Sequence, residues 1–376
     1  MNDVALIPEL KPKRWSSPGL TPLQERVFNV LAALLIVAML GGWVLSVVET
    51  YREPEETVSG APAVRRSPSN RVSSAILDPR TSSTVFLEEA ALKYFDPLRG
   101  YSGKLKATFR VPGDPIAEGS VDPEVDAELS SGGATIPSPE LKAPSNPGIY
   151  KIYMKLNQAR APVDDLSLVN LVPFTQKRKG RIGSYMLGSW PFEGGGTPKS
   201  PAYAPPRGFI EVTPENRDTY VSEHFQLRDF LTKDQPNVWP KYLLLDAKTL
   251  DKLELVIVEL REMGYDVRHV TIMSGFRTPR YNEGGGNTEG RANLSRHMYG
   301  DAADFFVDND EDGWTDDING DGKVDIKEAE LMAEAAERVE RKYPALVGGI
   351  GIYKACCGHG PFTHVDVRGY RARWRY

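Results

Sequence analysis

The chain has 376 residues, with 51 acidic and 46 basic side chains and a formal net charge of -5. This length exceeds the ~100 to 200 residues of a typical single domain, so more than one domain is expected. The charges are nearly balanced and no long basic run occurs, which excludes an electrostatic interaction with nucleic acid.

An apolar stretch without a charged residue covers positions 27–48. Its length matches the ~20 apolar residues that a helix needs to cross a membrane, so it predicts a transmembrane helix. A cleaved signal peptide is the alternative, but the stretch is long for one and no small-x-small cleavage site follows. Basic residues are concentrated before the stretch, which predicts that residues 1–26 form a cytoplasmic tail and the rest lies outside.

Three regions follow the apolar stretch. Residues 49–75 are rich in Pro, Ser and charged residues without apolar periodicity, which is typical of a linker. Residues 76–193 contain short β-branched and aromatic segments between Gly-, Pro- and Ser-rich stretches, which predicts a β-rich domain that serves as a spacer or binds a partner. The Gly- and Pro-rich composition of residues 194–207 predicts a second linker.

Residues 208–376 form the predicted C-terminal domain. A helix is indicated after Asp246, which can cap it, and before Gly264, because apolar residues recur with helical spacing at Leu250, Leu253, Val256, Ile257 and Leu260. A strand is predicted at 267–273, and its end leads into the segment Ser-Gly-Phe-Arg. Helices mixed with short strands predict the α+β class, with a small antiparallel sheet.

Two segments of this domain combine histidine with a carboxylate. They are SRHMYGDAAD at 295–304 and FTHVD at 362–366. Imidazole nitrogens and a carboxylate are the ligands of many catalytic zinc ions, because three protein ligands leave the fourth tetrahedral position open. The two segments therefore predict a zinc site.

With SGFRTPRYN at 274–282 and RARW near the C-terminus, these blocks resemble the zinc D-alanyl-D-alanine carboxypeptidase and murein endopeptidase family, which includes vancomycin-resistance dipeptidases. The resemblance covers about residues 225–374. It implies a zinc metallopeptidase whose substrates are peptidoglycan stem peptides or cross-links. The bacterial cytoplasmic membrane would then hold the chain by one helix, with the catalytic domain in the periplasm.

The resemblance also implies roles for single residues. By that likeness His297, Asp304 and His364 are the zinc ligands. Arg277 matches the arginine that binds substrate and stabilises the oxyanion, and Ser295 matches a serine that lines the substrate site.

The sequence departs from the family at the general base. Family carboxypeptidases have a glutamate shortly before the last zinc histidine, whereas this chain has Gly-Pro-Phe-Thr at 360–363. If 362–367 is a strand, His364 and Asp366 share a face, so Asp366 is the first candidate for the base. An equal alternative is that Asp366 orients His364. His359 is the second candidate for the base.

An acidic insertion at 308–328 separates the first two zinc ligands from the third. Its spacing matches a calcium loop, with ligands at positions 1, 3, 5, 7, 9 and 12 and Gly at position 6: Asp317, Asn319, Asp321, Lys323, Asp325 and Glu328. A second, overlapping run has Asp308, Asp310 and Asp312. We expect calcium here, and its position between zinc ligands raises the hypothesis that it stiffens the zinc site.

Two further interpretations remain open. Because the usual glutamate is missing, the domain could be a metal-containing module that binds peptidoglycan or a protein without cleaving it. The β-rich region and the acidic loop also fit a calcium-dependent adhesion protein. The only cysteines, Cys356 and Cys357, are adjacent, and a vicinal disulfide, two free thiols and a soft metal site are all compatible with that spacing.

Overall fold

The computed structural model describes residues 87, 93–117, 126–132, 134–138, 141–156, 159–198, 200–285 and 292–376. All of them belong to one compact unit. The predicted cytoplasmic tail 1–26, transmembrane helix 27–48 and linker 49–75 lie outside the described residues. Within the described residues, no helix has both the length and the apolar character needed to cross a membrane.

The first sheet of the unit lies in the predicted β-rich region. Its strands are β1 (Ala107–Arg110), β2 (Asp126–Ser131), β3 (Ala134–Pro137), β4 (Gly148–Leu156) and β5 (Ala159–Asn170). They are arranged in the order β1-β5-β4-β2-β3, and only the β1-β5 pair is parallel. Alternate residues such as Leu129, Ile152 and Met154 are buried in an apolar core of this sheet, as the period of a strand requires.

The second sheet is formed by strands that lie before and after the predicted linker 194–207 in the sequence. It contains β6 (Val172–Pro173), β9 (Gly208–Val212) and β10 (Lys241–Leu243) in the order β10-β9-β6, beside a hairpin of β7 (Arg181–Ile182) and β8 (Tyr185–Met186). Val172, before the linker, pairs with Phe209, after it, and both are buried in the core of the C-terminal part. The residues on both sides of the linker thus share one core.

The linker segment itself contacts the C-terminal part. Residues Pro201–Tyr203 form a 3-10 turn, and the Tyr203 side chain is only 8% exposed. Its ring packs against Tyr299 with centroids 5.6 Å apart, and the guanidinium of Arg296 lies 4.7 Å from the Tyr203 ring. Gly- and Pro-rich composition does not reveal such contacts, and the domain boundaries stay a prediction.

The third sheet is the framework of the C-terminal domain. Its strands are β11 (Val270–Ser274), β12 (Ala302–Val307), β13 (Gly349–Tyr353), β14 (Phe362–Asp366) and β15 (Ala372–Arg375). They are arranged in the order β11-β12-β14-β13-β15, antiparallel except for the β13-β15 pair. The helices are α1 (Ala247–Glu262), α2 (Pro279–Gly284) and α3 (Ile326–Lys342), so the predicted α+β class is confirmed.

The two long helices pack together, and α3 also packs on β13 and β14. The Asp246 side chain accepts a hydrogen bond from the Lys248 N–H and caps α1, and the five apolar positions predicted for this helix are buried. Asp325 and Glu328 form a capping box at the start of α3. Thr363 donates its hydroxyl to the Ala329 carbonyl on α3, so α3 covers the face of β14 that carries Thr363.

Candidate metal centre

The three predicted zinc ligands meet on the face of the third sheet opposite α3. Asp304 on β12 and His364 on β14 are directly paired across the two strands, and His364 points away from α3 because its neighbour Thr363 points toward it. His297 lies in the 3-10 turn Arg296–Tyr299, just before β12. The register of two strands and one turn thus brings His364 together with Asp304 and His297, which lie 60 and 67 positions before it.

The turn that carries His297 depends on a glycine. Gly300 ends the turn in the left-handed conformation, with φ 73°. A Cβ atom at this position would lie 2.3 Å from the backbone of Leu244, so only glycine fits here. The chain can then enter β12 at once and place Asp304 beside His297.

Three atoms of these side chains form a compact triangle. His297 Nε2 lies 3.1 Å from His364 Nδ1 and 3.2 Å from Asp304 Oδ1, and His364 Nδ1 lies 2.8 Å from Asp304 Oδ1. In a tetrahedral zinc site with ligand bonds of about 2.0–2.1 Å, two ligand atoms lie about 3.3 Å apart. The triangle fits a zinc ion, and all three side chains are buried.

Hydrogen bonds on the far sides of both imidazoles determine where their protons lie. His297 Nδ1 lies 2.7 Å from the carbonyl oxygen of Gly275, which can only accept, so Nδ1 carries the proton. His364 Nε2 lies 3.2 Å from a carboxylate oxygen of Asp366 and donates to it. The remaining nitrogens therefore direct lone pairs toward Asp304 Oδ1, an arrangement that a cation stabilises.

The electrostatics favour the ligand forms of two of these side chains. Burial, with a contribution from the charge of Arg277, lowers the pKa of His297 to about 4, so this imidazole is neutral at pH 7. Burial alone would raise the pKa of Asp304, but its interactions with His297, with the charged Arg277 and with His364 outweigh it and hold the pKa well below its usual value. Burial would lower the pKa of His364, but the adjacent carboxylates of Asp304 and Asp366 favour the protonated ring, outweigh burial and raise that pKa.

Arg277 contacts the metal centre directly. Its Nη2 lies 2.6 Å from Asp304 Oδ2, and its Nε donates to Ser274 Oγ at 2.8 Å. Asp304 thus uses one oxygen for Arg277 and presents the other to the histidines. Ser274, at the end of β11, has no role in the sequence prediction, although it begins the block that contains Arg277. Ser295, the predicted substrate-site serine, is buried two residues before His297.

Asp366 is fully buried. Its oxygens accept hydrogen bonds from His364, from the Arg368 guanidinium and from the backbone N–H of Gly349. Burial would raise the pKa of Asp366, but its hydrogen bonds with His364 and Arg368 outweigh this and lower the pKa strongly. Such a carboxylate is a poor proton acceptor. These contacts favour the alternative interpretation, in which Asp366 orients His364, and the role of Asp366 as general base stays a prediction.

The turn before β14 contains the second candidate for the base. Cys356 and Cys357 are joined by a disulfide, and backbone hydrogen bonds between Cys356 and His359 close the turn. The half-buried His359 ring packs edge-on against Phe362, whose side chain lies on the same face of β14 as His364. His359 Nδ1 donates to the Gly360 carbonyl at 2.8 Å, so the lone pair is on Nε2.

Aromatic side chains flank His364 on the β13 side. The Trp374 ring lies 5.1 Å from the His364 ring, and its Nε1 donates to the Tyr353 hydroxyl at 2.8 Å. Tyr353 stacks on Phe362 with centroids 4.4 Å apart. Gly351, which pairs with His364, leaves space for the Trp374 ring, because a Cβ atom at position 351 would lie 2.3 Å from Trp374 Nε1. The sequence blocks include Trp374, but nothing in them indicates this contact.

The acidic insertion is built differently. Oxygens of Asp308, Asp310 and Asp312 lie within 4.8 Å of one another, and Asp308 is buried where it accepts from the Thr271 hydroxyl at 2.7 Å. Among the residues that the structure describes, no three acidic side chains of the run 317–328 converge in this way.

The side chains of the run 317–328 bind mainly the loop's own groups. Asp317 accepts from the N–H groups of Gly320 and Gly322, and Glu328 accepts from the Asp325 N–H and the Asn319 amide. Asp321 pairs with Lys327, and Lys323 is exposed. Calcium binding by either run stays a prediction.

The α+β domain thus holds a buried group of two histidines and one aspartate, a donor set of the kind that a catalytic zinc ion uses. Residues 237–316 match the family described as Peptidase M15. Residues 237–316 are thus similar to the M15 zinc peptidases, which confirms the predicted resemblance. The match includes His297 and Asp304 and ends before His364. Neither the curated proteins nor the solved structures gave a match.

Proposed function

We propose that the C-terminal domain hydrolyses amide bonds in peptidoglycan stem peptides or cross-links, as a zinc-dependent carboxypeptidase or endopeptidase. The observation that carries the proposal is the triangle of lone-pair atoms on His297, Asp304 and His364, with both imidazoles held in the ligand tautomer. The match of residues 237–316 to the M15 peptidases supports amide hydrolysis and substrates of the peptidoglycan type.

In this proposal His297 Nε2, Asp304 Oδ1 and His364 Nδ1 hold the zinc ion. A zinc ion bound in this way acts as a Lewis acid toward the amide carbonyl and makes water reactive at neutral pH.

Proton transfer is assigned to His359 rather than to Asp366. His359 is half-buried on the His364 side of β14, and its Nε2 carries a lone pair, whereas the Asp366 oxygens are engaged by other donors. Nε2 of His359 takes the proton of the attacking water and returns it to the leaving amine, which is the usual work of a general base and acid.

Arg277 binds the substrate. Within the described part of the chain, its side-chain hydrogen bonds use Nε and Nη2, so Nη1 is available to a substrate carbonyl or carboxylate oxygen. A guanidinium in this place stabilises negative charge that develops on the carbonyl oxygen. Ser295 lines the same site two residues from His297.

Two finer points belong to the proposal. Anchoring in the bacterial cytoplasmic membrane by residues 27–48, with the catalytic domain in the periplasm, agrees with the location of a peptidoglycan substrate. Calcium in the 308–328 insertion would offset the mutual repulsion of its carboxylates.

The test is to incubate the full-length chain, in detergent and with zinc, with purified peptidoglycan and to separate the released muropeptides. Shortened stem peptides or lost cross-links, absent with His297→Ala, are expected and would identify the bond. The competing function is a module that binds peptidoglycan without cleaving it, favoured by the missing glutamate at 360–363. Zinc-loaded protein that co-sediments with peptidoglycan and releases nothing would establish that alternative.

A further inference from the structure

We propose that Arg368 is a positioning residue of the metal centre, which acts on His364 through Asp366. The inference rests on the proposed function, since it concerns His364 as a zinc ligand. Arg368 was not among the residues singled out from the sequence. It lies two positions after Asp366, just beyond the end of β14, where the chain turns toward β15.

Arg368 pairs directly with the Asp366 carboxylate. Arg368 Nε lies 2.9 Å from each oxygen of the Asp366 carboxylate, and Nη2 forms a further, short hydrogen bond. The backbone N–H of Arg368 donates to the same carboxylate at 3.1 Å. A planar guanidinium that donates several hydrogen bonds to one carboxylate fixes its orientation as well as its charge.

Gly348 and Gly349 pack closely against Asp366 on one side. A Cβ atom on Gly349 would lie 2.3 Å from Asp366 Oδ2, and one on Gly348 would lie 1.9 Å from its backbone oxygen. The Gly349 N–H donates to Asp366 Oδ1 at 2.8 Å. The two glycines thus form a close-fitting wall on one side, and Arg368 holds the carboxylate on another.

The other cationic side chains near Asp366 have partners of their own. Lys252, which is buried, donates to the backbone oxygen of Asp366 and pairs with Glu340, so it is already engaged away from the carboxylate. Arg296 pairs with Asp301. Among the described residues, Arg368 is the cation that forms a salt bridge with the Asp366 carboxylate.

Aromatic rings hold Arg368 in turn. Its guanidinium lies 5.5 Å from the Trp374 ring centroid and 5.6 Å from that of Tyr370. The Trp374 ring also lies 5.1 Å from the ring of His364. Arg368 therefore shares one neighbour with the ligand that it positions, and the group of Arg368, Asp366, Trp374 and His364 is packed as a unit.

Removal of the Arg368 guanidinium leaves a buried carboxylate without its cation. The carboxylate loses the donors that fix its orientation on that side, so its hydrogen bond with the His364 Nε2–H is no longer held in place. The imidazole then loses its fixed tautomer and ring angle. Loss of a supporting partner of this kind typically weakens metal binding by about 10- to 100-fold.

The experiment measures zinc affinity of the full-length chain by competition with a chromophoric chelator. Arg368→Met is expected to weaken zinc binding by about 10- to 100-fold, and Arg368→Lys, which keeps the charge, is expected to lie between it and wild type. Arg371→Met is the matched control, because Arg371 is exposed and pairs with Glu337, away from Asp366. Its zinc affinity should equal that of wild type.

The outcomes separate the two proposals. If wild type binds no zinc, the proposed function fails; if wild type binds zinc and Arg368→Met binds it equally well, the positioning role is refuted. If Arg368→Met does not fold, Asp366→Asn tests the same contact from the other side with nearly the same shape. A zinc affinity of folded Asp366→Asn within twofold of wild type would also overturn the inference, and a loss like that expected for Arg368→Met would support it.

Discussion

The C-terminal domain contains two regions predicted to bind metals, the zinc group and the acidic insertion 308–328, and they are assembled differently. The predicted zinc ligands His297, Asp304 and His364 come from a turn and two strands, are buried, and each has a partner that fixes it. The residues of 308–328 are close in sequence and mostly exposed, and they bond largely within the loop. The first region obtains its geometry from the fold, whereas the second obtains it from local turns.

Because of this difference, the two regions depend to different degrees on a bound ion to hold their side chains in place. The zinc ligands are held together by strand register, so the fold has already met the entropic cost of ordering them. The loop carboxylates are near water, where their mutual repulsion is screened. We therefore expect changes at the first region to affect catalysis strongly and changes at the second to affect mainly stability.

The largest effect is expected from His297→Ala. Loss of one of three ligands should weaken zinc binding by more than the ~100-fold that loss of a supporting partner can cost, and peptidoglycan cleavage should fall to background. Zinc content after dialysis and muropeptide release measure the two effects. His269→Ala, a histidine on the chain just before β11, is the control and should retain both. Full activity of His297→Ala would contradict the assignment of the metal centre.

His359→Gln should have the next largest effect. Loss of a general base typically costs about 10²- to 10⁴-fold in kcat, while zinc affinity should stay near that of wild type because His359 is not a ligand. Steady-state kinetics with a synthetic stem peptide and chelator competition would check both. An unchanged kcat would exclude His359 as the base and reopen the question of which group takes the proton.

A pair of glycine substitutions compares the two regions directly. Gly300→Ala places a Cβ atom 2.3 Å from the Leu244 backbone, whereas Gly322→Ala, with φ 80°, meets nothing within 4 Å. The left-handed conformation alone costs about 1–2 kcal/mol, so Gly322→Ala should lower the free energy of unfolding by about that much. Gly300→Ala should lower it more and also weaken zinc binding. Denaturant titration measures the free energy of unfolding of both variants. Equal decreases would mean that the turn carrying His297 tolerates a Cβ atom as well as the loop does.

The smallest effect is expected from calcium. If the insertion binds it, calcium at 100 times its Kd should stabilise the protein by about 2.7 kcal/mol, with little change in kcat. Differential scanning calorimetry of the zinc-loaded protein, with and without calcium, measures the shift. The double variant Asp310→Asn/Asp312→Asn should respond less. A melting temperature that calcium does not change would show that the calcium prediction is wrong.

Much of the local structure could be predicted from the sequence. Helix α1 and its cap at Asp246 follow from apolar spacing, and the strand around His364 follows from the alternation in FTHVD. Each signal lies within a few residues, where periodicity and capping chemistry are readable. The blocks that resemble the family also point to the three zinc ligands, which the structure brings together.

The contacts between distant segments could not be predicted in this way. Val172 pairs with Phe209 across a segment whose composition is that of a linker, and Arg368 neutralises the carboxylate that the sequence presents as a base. Both depend on strand register and burial, which a single sequence does not display. Strand alternation predicts that Asp366 shares a face with His364, but it does not reveal how many donors surround the Asp366 carboxylate.

One hydrogen bond joins the two regions compared above. The buried Thr315 hydroxyl, in the acidic insertion, donates to the Pro361 carbonyl at 2.7 Å, two residues from His359 and three from His364. This hydrogen bond thus connects the insertion to the segment between His359 and His364. Thermodynamic linkage then imposes reciprocity: any factor by which calcium tightens zinc binding through this contact must equal the factor by which zinc tightens calcium binding.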